Sequence, residues 1–126
     1  MTITFDHTIV VSKDRSVSAA FFRWLFDLPE APSWGPFTNV QLSDGALIQF
    51  AEPPVDEIQP QHYAFRVTDD LFDIVVKRLS NGAIRYWADP HQTQKRQINH
   101  HHDGRGVYFK DPAGHLIEVL TKPYLP

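Results

Sequence analysis

Four polar residues interrupt apolar runs that otherwise look like strands. His7 stands in "TFDHTIVV", Gln49 in "ALIQFAE", His62 in "HYAFRV" and Glu118 in "HLIEVL". Two imidazoles and a carboxylate, with an amide opposite, make a donor set for a divalent cation. Nitrogen and oxygen donors of this kind suit zinc, manganese and iron(II), and two histidines with one carboxylate form the facial triad of non-heme iron enzymes. Glutamine can offer only its carbonyl oxygen, so Gln49 is a weak or absent fourth ligand. A lone strand histidine is more often a hydrogen-bonded core or edge residue, and a lone glutamate more often lies on a solvated face. The neighbours of Glu118 argue otherwise: an unpaired carboxylate among Leu116, Ile117, Val119 and Leu120 would cost several kcal/mol and protonate, whereas a cation compensates its charge. The chain has no cysteine, which excludes thiolate ligands, disulfides and a cysteine nucleophile.

The elements that must carry these residues follow from periodicity. Residues 4–11 alternate and are rich in β-branched types, which predicts a strand. From Ser12 to Leu28 the period changes to three and four, through Val17, Ala20, Phe21, Trp24, Leu25 and Leu28; this predicts an amphipathic helix capped by Ser12 or Asp14. "EAPSWGP" is a loop, and "FTNVQL", "SDG" and "ALIQFAE" form a hairpin. After a proline-rich connector, "HYAFRV" is a strand and Asp69 caps a second helix, through Leu71, Ile74, Val75 and Leu79, that "NG" ends. Ile84 to Trp87 is a short strand, and "GVYFK", "DPAG" and "HLIEVL" form a final hairpin.

Strand, helix, then strands occurs twice, so the halves can be superposed. His7 falls on His62 at an offset of 55 residues, and Gln49 falls on Glu118 at an offset of 69. The larger offset reflects a longer middle loop in the second half, "HQTQKRQINHHHD". Strand alternation puts His62, Ala64 and Arg66 on one face and Tyr63, Phe65 and Val67 on the other. The second set packs under the helices, which leaves both histidines, Gln49 and Glu118 on the helix-free face. The expected fold is α+β: two βαβββ modules, about 1–53 and 61–124, related by pseudo-twofold symmetry within a single domain, with a curved mixed sheet forming a metal-binding cup.

Composition narrows the partners. Net charge is −3 with both signs interspersed, which suggests no nucleic-acid groove and no polybasic membrane patch. No apolar run approaches the roughly 18 residues of a membrane span, and the first residues lack a signal-peptide pattern. A soluble, cytoplasmic protein is expected.

On these motifs the chain resembles the vicinal oxygen chelate superfamily, which includes glyoxalase I, extradiol dioxygenases, fosfomycin-modifying thiol transferases and bleomycin-resistance proteins. "DPAGHLIEV" is similar to that family's final hairpin, with Glu118 as metal ligand, and "DHTIVV" and "HYAFRV" match its ligand histidines at His7 and His62. The resemblance implies a divalent metal (zinc, manganese, nickel or iron) and a small substrate with two neighbouring oxygens that completes the metal shell. It also implies a homodimer whose modules pair within one chain or are exchanged between two. Glyoxalase-like lyase or isomerase chemistry heads the expected reactions, followed by extradiol-type dioxygenation; a metal-free binding protein of the bleomycin-resistance kind is the rival from another class. Gln49 departs from the acidic ligand that many glyoxalases carry there, and "INHHHDGRG" lacks the serine-rich loop of the thiol transferases.

Glu118 and Tyr108 are the expected catalytic residues. Tyr108 alternates onto the cup face and matches a substrate-touching tyrosine of similar proteins; Asn39 is its counterpart in the first half. Arg66 shares the face of His62 and can bind an anionic group. Trp34 is expected to wall the pocket. The run His100, His101 and His102 reads as a polar loop covering the site, made locally basic by Lys95, Arg96 and Arg105 to hold an anionic substrate.

Overall fold

Asp14 starts the first helix. Its Oδ1 accepts from the backbone N–H of Ser16 at 3.0 Å and of Val17 at 3.1 Å, pairing two of the donors that a helix leaves free at its start. The computed structural model describes residues 1–126 and divides them into two compact units, Met1–Gln59 and Pro60–Pro126. The first contains strand β1 (His7–Val11), helix α1 (Arg15–Phe26), and strands β2 (Thr38–Gln41) and β3 (Leu47–Ala51). The second contains β4 (His62–Arg66), helix α2 (Asp69–Asn81), β5 (Tyr86–Trp87), β6 (Gly106–Lys110) and β7 (Leu116–Leu120). A 3-10 turn at His101–Asp103 precedes β6.

Each unit builds one mixed sheet. The order is β1-β3-β2 in the first and β4-β7-β6-β5 in the second. β1 runs parallel to β3 and antiparallel pairing joins β3 to β2, just as β4 runs parallel to β7 and β7 pairs antiparallel with β6. The first unit therefore lacks the fourth strand that a βαβββ module requires. The residues in that place include Pro29, Pro32 and Pro36, and proline has no N–H to give a ladder.

Other boundaries differ for local reasons. The first strand begins at His7, later than residue 4. Thr68, not Asp69, caps α2: its hydroxyl accepts from the Leu71 N–H at 3.4 Å, and Asp69 is the first helical residue, where its charge favours the helix N-terminus. The buried stripe of α1 is Ser18, Ala19, Phe22, Leu25 and Phe26, while Val17 and Trp24 of the expected stripe are exposed. The helix is apolar on two sides, so periodicity alone cannot choose between them. Packing chooses: the Phe22 ring lies 5.3 Å from Phe50 of β3 and 5.9 Å from Phe26. In α2 the buried residues are Phe72, Val75 and Leu79.

The β2-β3 and β6-β7 hairpins turn on Gly45 at φ 97° and Gly114 at φ 93°, a backbone region that side chains strongly disfavour. An aspartate closes each turn, one residue before Gly45 and three before Gly114. Asp44 Oδ1 accepts from the Ala46 N–H at 3.1 Å, and Asp111 Oδ1 accepts from Ala113 at 3.1 Å and His115 at 2.8 Å. These turns fix the register that carries Gln49 and Glu118.

Replacing Asp14 by alanine should lower stability by about 1 kcal/mol, and Asp14→Asn should retain most of it. Chemical denaturation of the two variants checks this.

Candidate metal centre

In the Pro60–Pro126 unit, β7 lies between β4 and β6, and the register sets Ala64 and Tyr108 on either side of Glu118 and His62 beside Leu116. The expected alternation is present: His62, Ala64 and Arg66 are exposed, and Tyr63 and Phe65 are half-buried. Glu118 is only 3% exposed. His62 Nε2 stands 3.2 Å from Glu118 Oε1, and His62 Nδ1 stands 3.0 Å from the Leu116 carbonyl oxygen. A carbonyl can only accept, so Nδ1 carries a proton, and in the neutral ring Nε2 turns its lone pair towards the carboxylate. Two electron-rich groups at that distance call for a proton or a cation shared between them. An imidazole oriented by a carbonyl behind it, with its other nitrogen beside a carboxylate, is how metal-ligating histidines are held. His62 and Glu118 thus offer two donors of the kind a divalent metal takes.

Two tyrosines complete the surroundings. The Tyr124 hydroxyl lies 2.7 Å from Glu118 Oε2 and 2.9 Å from Oε1. The Tyr108 ring stacks on His62 with centroids 6.2 Å apart at 20°. Burial first, then its hydrogen bond with Tyr124 and the Glu118 charge, push the Tyr108 phenol far above its ordinary range. Tyr124 is raised chiefly by its bond to Glu118. His62, Ala64, Arg66, Glu118, Leu120 and Tyr124 line a cavity of about 480 Å³, to which Arg66 lends positive charge. Sequence reasoning missed Tyr124. Its signal was a phenol shortly after the final strand, in a segment, "TKPYLP", that carries no periodicity to place it.

The Met1–Gln59 unit reproduces the register. His7 pairs with Leu47 as His62 pairs with Leu116, and Ile9 and Asn39 flank Gln49 as Ala64 and Tyr108 flank Glu118. Both offsets read from the sequence, 55 and 69, are therefore offsets of the fold. Gln49 is buried. Asn39 is fully buried too, and its amide donates to the Pro32 carbonyl at 2.9 Å while its backbone N–H donates to Ser33 Oγ at 2.9 Å. It thus anchors the proline-rich loop. His7 is half-exposed, with Nδ1 2.6 Å from Asp6 Oδ2, and Trp34 is exposed. Neither unit by itself gathers three histidine, aspartate or glutamate side chains at one point.

The 89–105 segment is less basic in effect than its composition. Arg105 donates from Nη1 to Asp73 Oδ1 at 2.6 Å and from Nη2 to Asp69 Oδ1 at 3.1 Å, and its guanidinium lies 4.6 Å from the Phe72 ring centroid. Two carboxylates of α2 already neutralise it, so it is not a free anion anchor. Of the three histidines, His102 bears on the site, because its ring stacks on Tyr124 at 4.5 Å and 24°.

The chain is 41% identical to the solved structure of Oxidase ChaP-H2, covering 99% of this chain and 98% of that one with a TM-score of 0.94. It is 26% identical to glutathione transferase FosA of Serratia marcescens, over 94% of this chain and 81% of that protein. A glyoxalase/dioxygenase from Nostoc punctiforme shares the fold at 24% identity and a TM-score of 0.71, over 95% of this chain and 91% of that one. No family model matches the sequence. The chain belongs to the vicinal oxygen chelate superfamily. Its function is that of a superfamily enzyme, a class that spans several reactions.

Tyr63, Tyr108 and Tyr124 all hold their protons more tightly than free tyrosine. Unfolded, they ionise near pH 10, so their contribution to stability is complete below that pH and is lost as pH rises through the folded values. Absorbance at 295 nm should show tyrosinate lagging behind the denatured chain at pH 10 to 11, with stability falling over the same interval. Coincident titration curves would contradict the assignment.

Proposed function

We propose that the chain is a divalent-metal-dependent oxidase acting on a small substrate with two neighbouring oxygens, with dioxygen as electron acceptor. The observation that carries the oxidative choice is 41% identity to an oxidase along 99% of this chain. It favours the oxygen-using branch over glyoxalase-like isomerisation, for which Gln49 lacks a carboxylate, and over thiol transfer, for which the likeness to FosA is lower. His62 and Glu118 would hold the metal. His7 is the proposed third donor, and Gln49 a weak or absent fourth. The working form in this reading is a cytoplasmic homodimer. No helix is long and apolar enough to cross a membrane.

A bound cation supplies Lewis-acid stabilisation of developing oxygen charge and, if it is iron, redox chemistry as well. The protein's own groups do the rest. Arg66 offers two parallel donors to an anionic oxygen of the substrate. Ala64 and Leu120 give the cavity an apolar wall beside Glu118. Tyr108 keeps its proton at neutral pH, so its phenol serves as a hydrogen-bond donor and not as a base.

Protein loaded with Fe²⁺ without air, then given oxygen and a panel of catechols and α-hydroxyketones, should consume dioxygen. His62→Ala and Glu118→Ala should reduce the rate about 100-fold or more, consistent with loss of a metal worth several kcal/mol. Oxygen-independent turnover of a glutathione hemithioacetal with Ni²⁺ or Zn²⁺ would return the reading to glyoxalase chemistry, and a thiol adduct of fosfomycin would return it to transfer. Ligand binding without metal binding or turnover would make it a sequestering protein.

A further inference from the structure

The loop before β6 and the residues after β7 are fastened together more closely than a connector and a terminus need be. Arg105 N–H donates to Thr121 Oγ1 at 2.9 Å, and Thr121 N–H returns a bond to the Arg105 carbonyl at 3.0 Å. A Cβ on Gly104 would fall 2.6 Å from Lys122 Cγ and 2.6 Å from Thr121 Oγ1, so any larger residue would force those side chains to shift. Arg105 is in turn tied to Asp69 and Asp73 of α2. His102 stands at φ 57° and ψ 32°, a left-handed conformation uncommon for a residue with a side chain, and Asp103 follows at φ 58°. That backbone brings the His102 ring onto Tyr124, a residue that stays more than half exposed.

The other end of Tyr124 is where the clasp has its effect. Its hydroxyl spans both oxygens of Glu118 at 2.7 and 2.9 Å. A carboxylate's last torsion is soft and roughly twofold, so a buried Glu118 needs a partner to set its tilt towards His62. We propose that Tyr124 is a positioning residue for Glu118, and that His102 holds Tyr124 in place by stacking. The inference rests on the metal reading of Glu118 and adds to it a chain of support from α2 through the 100–105 loop to the carboxylate.

Mn²⁺ binding to the full chain, read from the electron paramagnetic resonance signal of free Mn²⁺, tests this without substrate. Tyr124→Phe should weaken binding about 10- to 100-fold, the range for losing a hydrogen-bond partner behind a ligand. His102→Ala should weaken it less, and His102→Phe, which restores a flat ring, should return it close to the parent. The melting temperatures of the metal-free variants should stay together; affinity that falls only as the fold is lost would make Tyr124 structural and overturn the proposal. Tyr124→Phe binding as tightly as the parent or more so, while Glu118→Gln and His62→Ala abolish binding, overturns the positioning role alone. A His102→Phe variant as weak as His102→Ala overturns the stacking step. If Glu118→Gln and His62→Ala bind Mn²⁺ like the parent, the metal reading fails and the inference fails with it.

Discussion

A carboxylate in the middle of a buried strand is the constraint on which the second unit is organised. Glu118 is flanked along β7 by buried aliphatic residues, and its charge has to be met by groups brought from elsewhere. Three elements supply them. β4 brings the His62 imidazole, β6 brings the Tyr108 phenol, and the residues after β7 bring the Tyr124 hydroxyl. Leaving such a group without partners would cost several kcal/mol. Burial, register and hydrogen bonding therefore act on one atom group, and the cavity opens beside it.

The first unit shows the same framework without the charge. Gln49 has the register of Glu118, between Ile9 and Asn39 where Glu118 has Ala64 and Tyr108. A neutral amide can be buried at lower cost, and the side-chain amide of its cross-strand neighbour Asn39 donates to a loop of its own unit. Parallel pairing of each unit's first and last strands keeps His7 and His62 at matching positions whatever the length of the segments between. That is why an inserted loop in the second half changes the offset from 55 to 69 without disturbing the site.

Much of this was legible because it depended on alternation and on repetition. His62, Ala64 and Arg66 share a face by strand geometry alone, and Gln49 identified its counterpart Glu118 by superposition. Where two answers had the same local pattern, the sequence was silent. α1 has two apolar sides, and only contact with Phe50 selects Phe22 over Phe21 and Trp24. The missing strand of the first unit depended on three prolines withholding N–H groups. Arg105 looked like a free cation because its partners, Asp69 and Asp73, are more than thirty residues away. Tyr124 and His102 belong to irregular segments, where contacts are made by tertiary fit and no period announces them.

On this reading His62 and Glu118 are metal donors rather than an ion pair. Anomalous diffraction from crystals of the protein loaded with Mn²⁺ or Fe²⁺, measured at the metal's absorption edge, distinguishes the two. A peak is expected within bonding distance, roughly 2.0–2.2 Å, of both His62 Nε2 and a Glu118 oxygen. A peak elsewhere, or His62 and Glu118 still in direct contact with no metal between them, would contradict it.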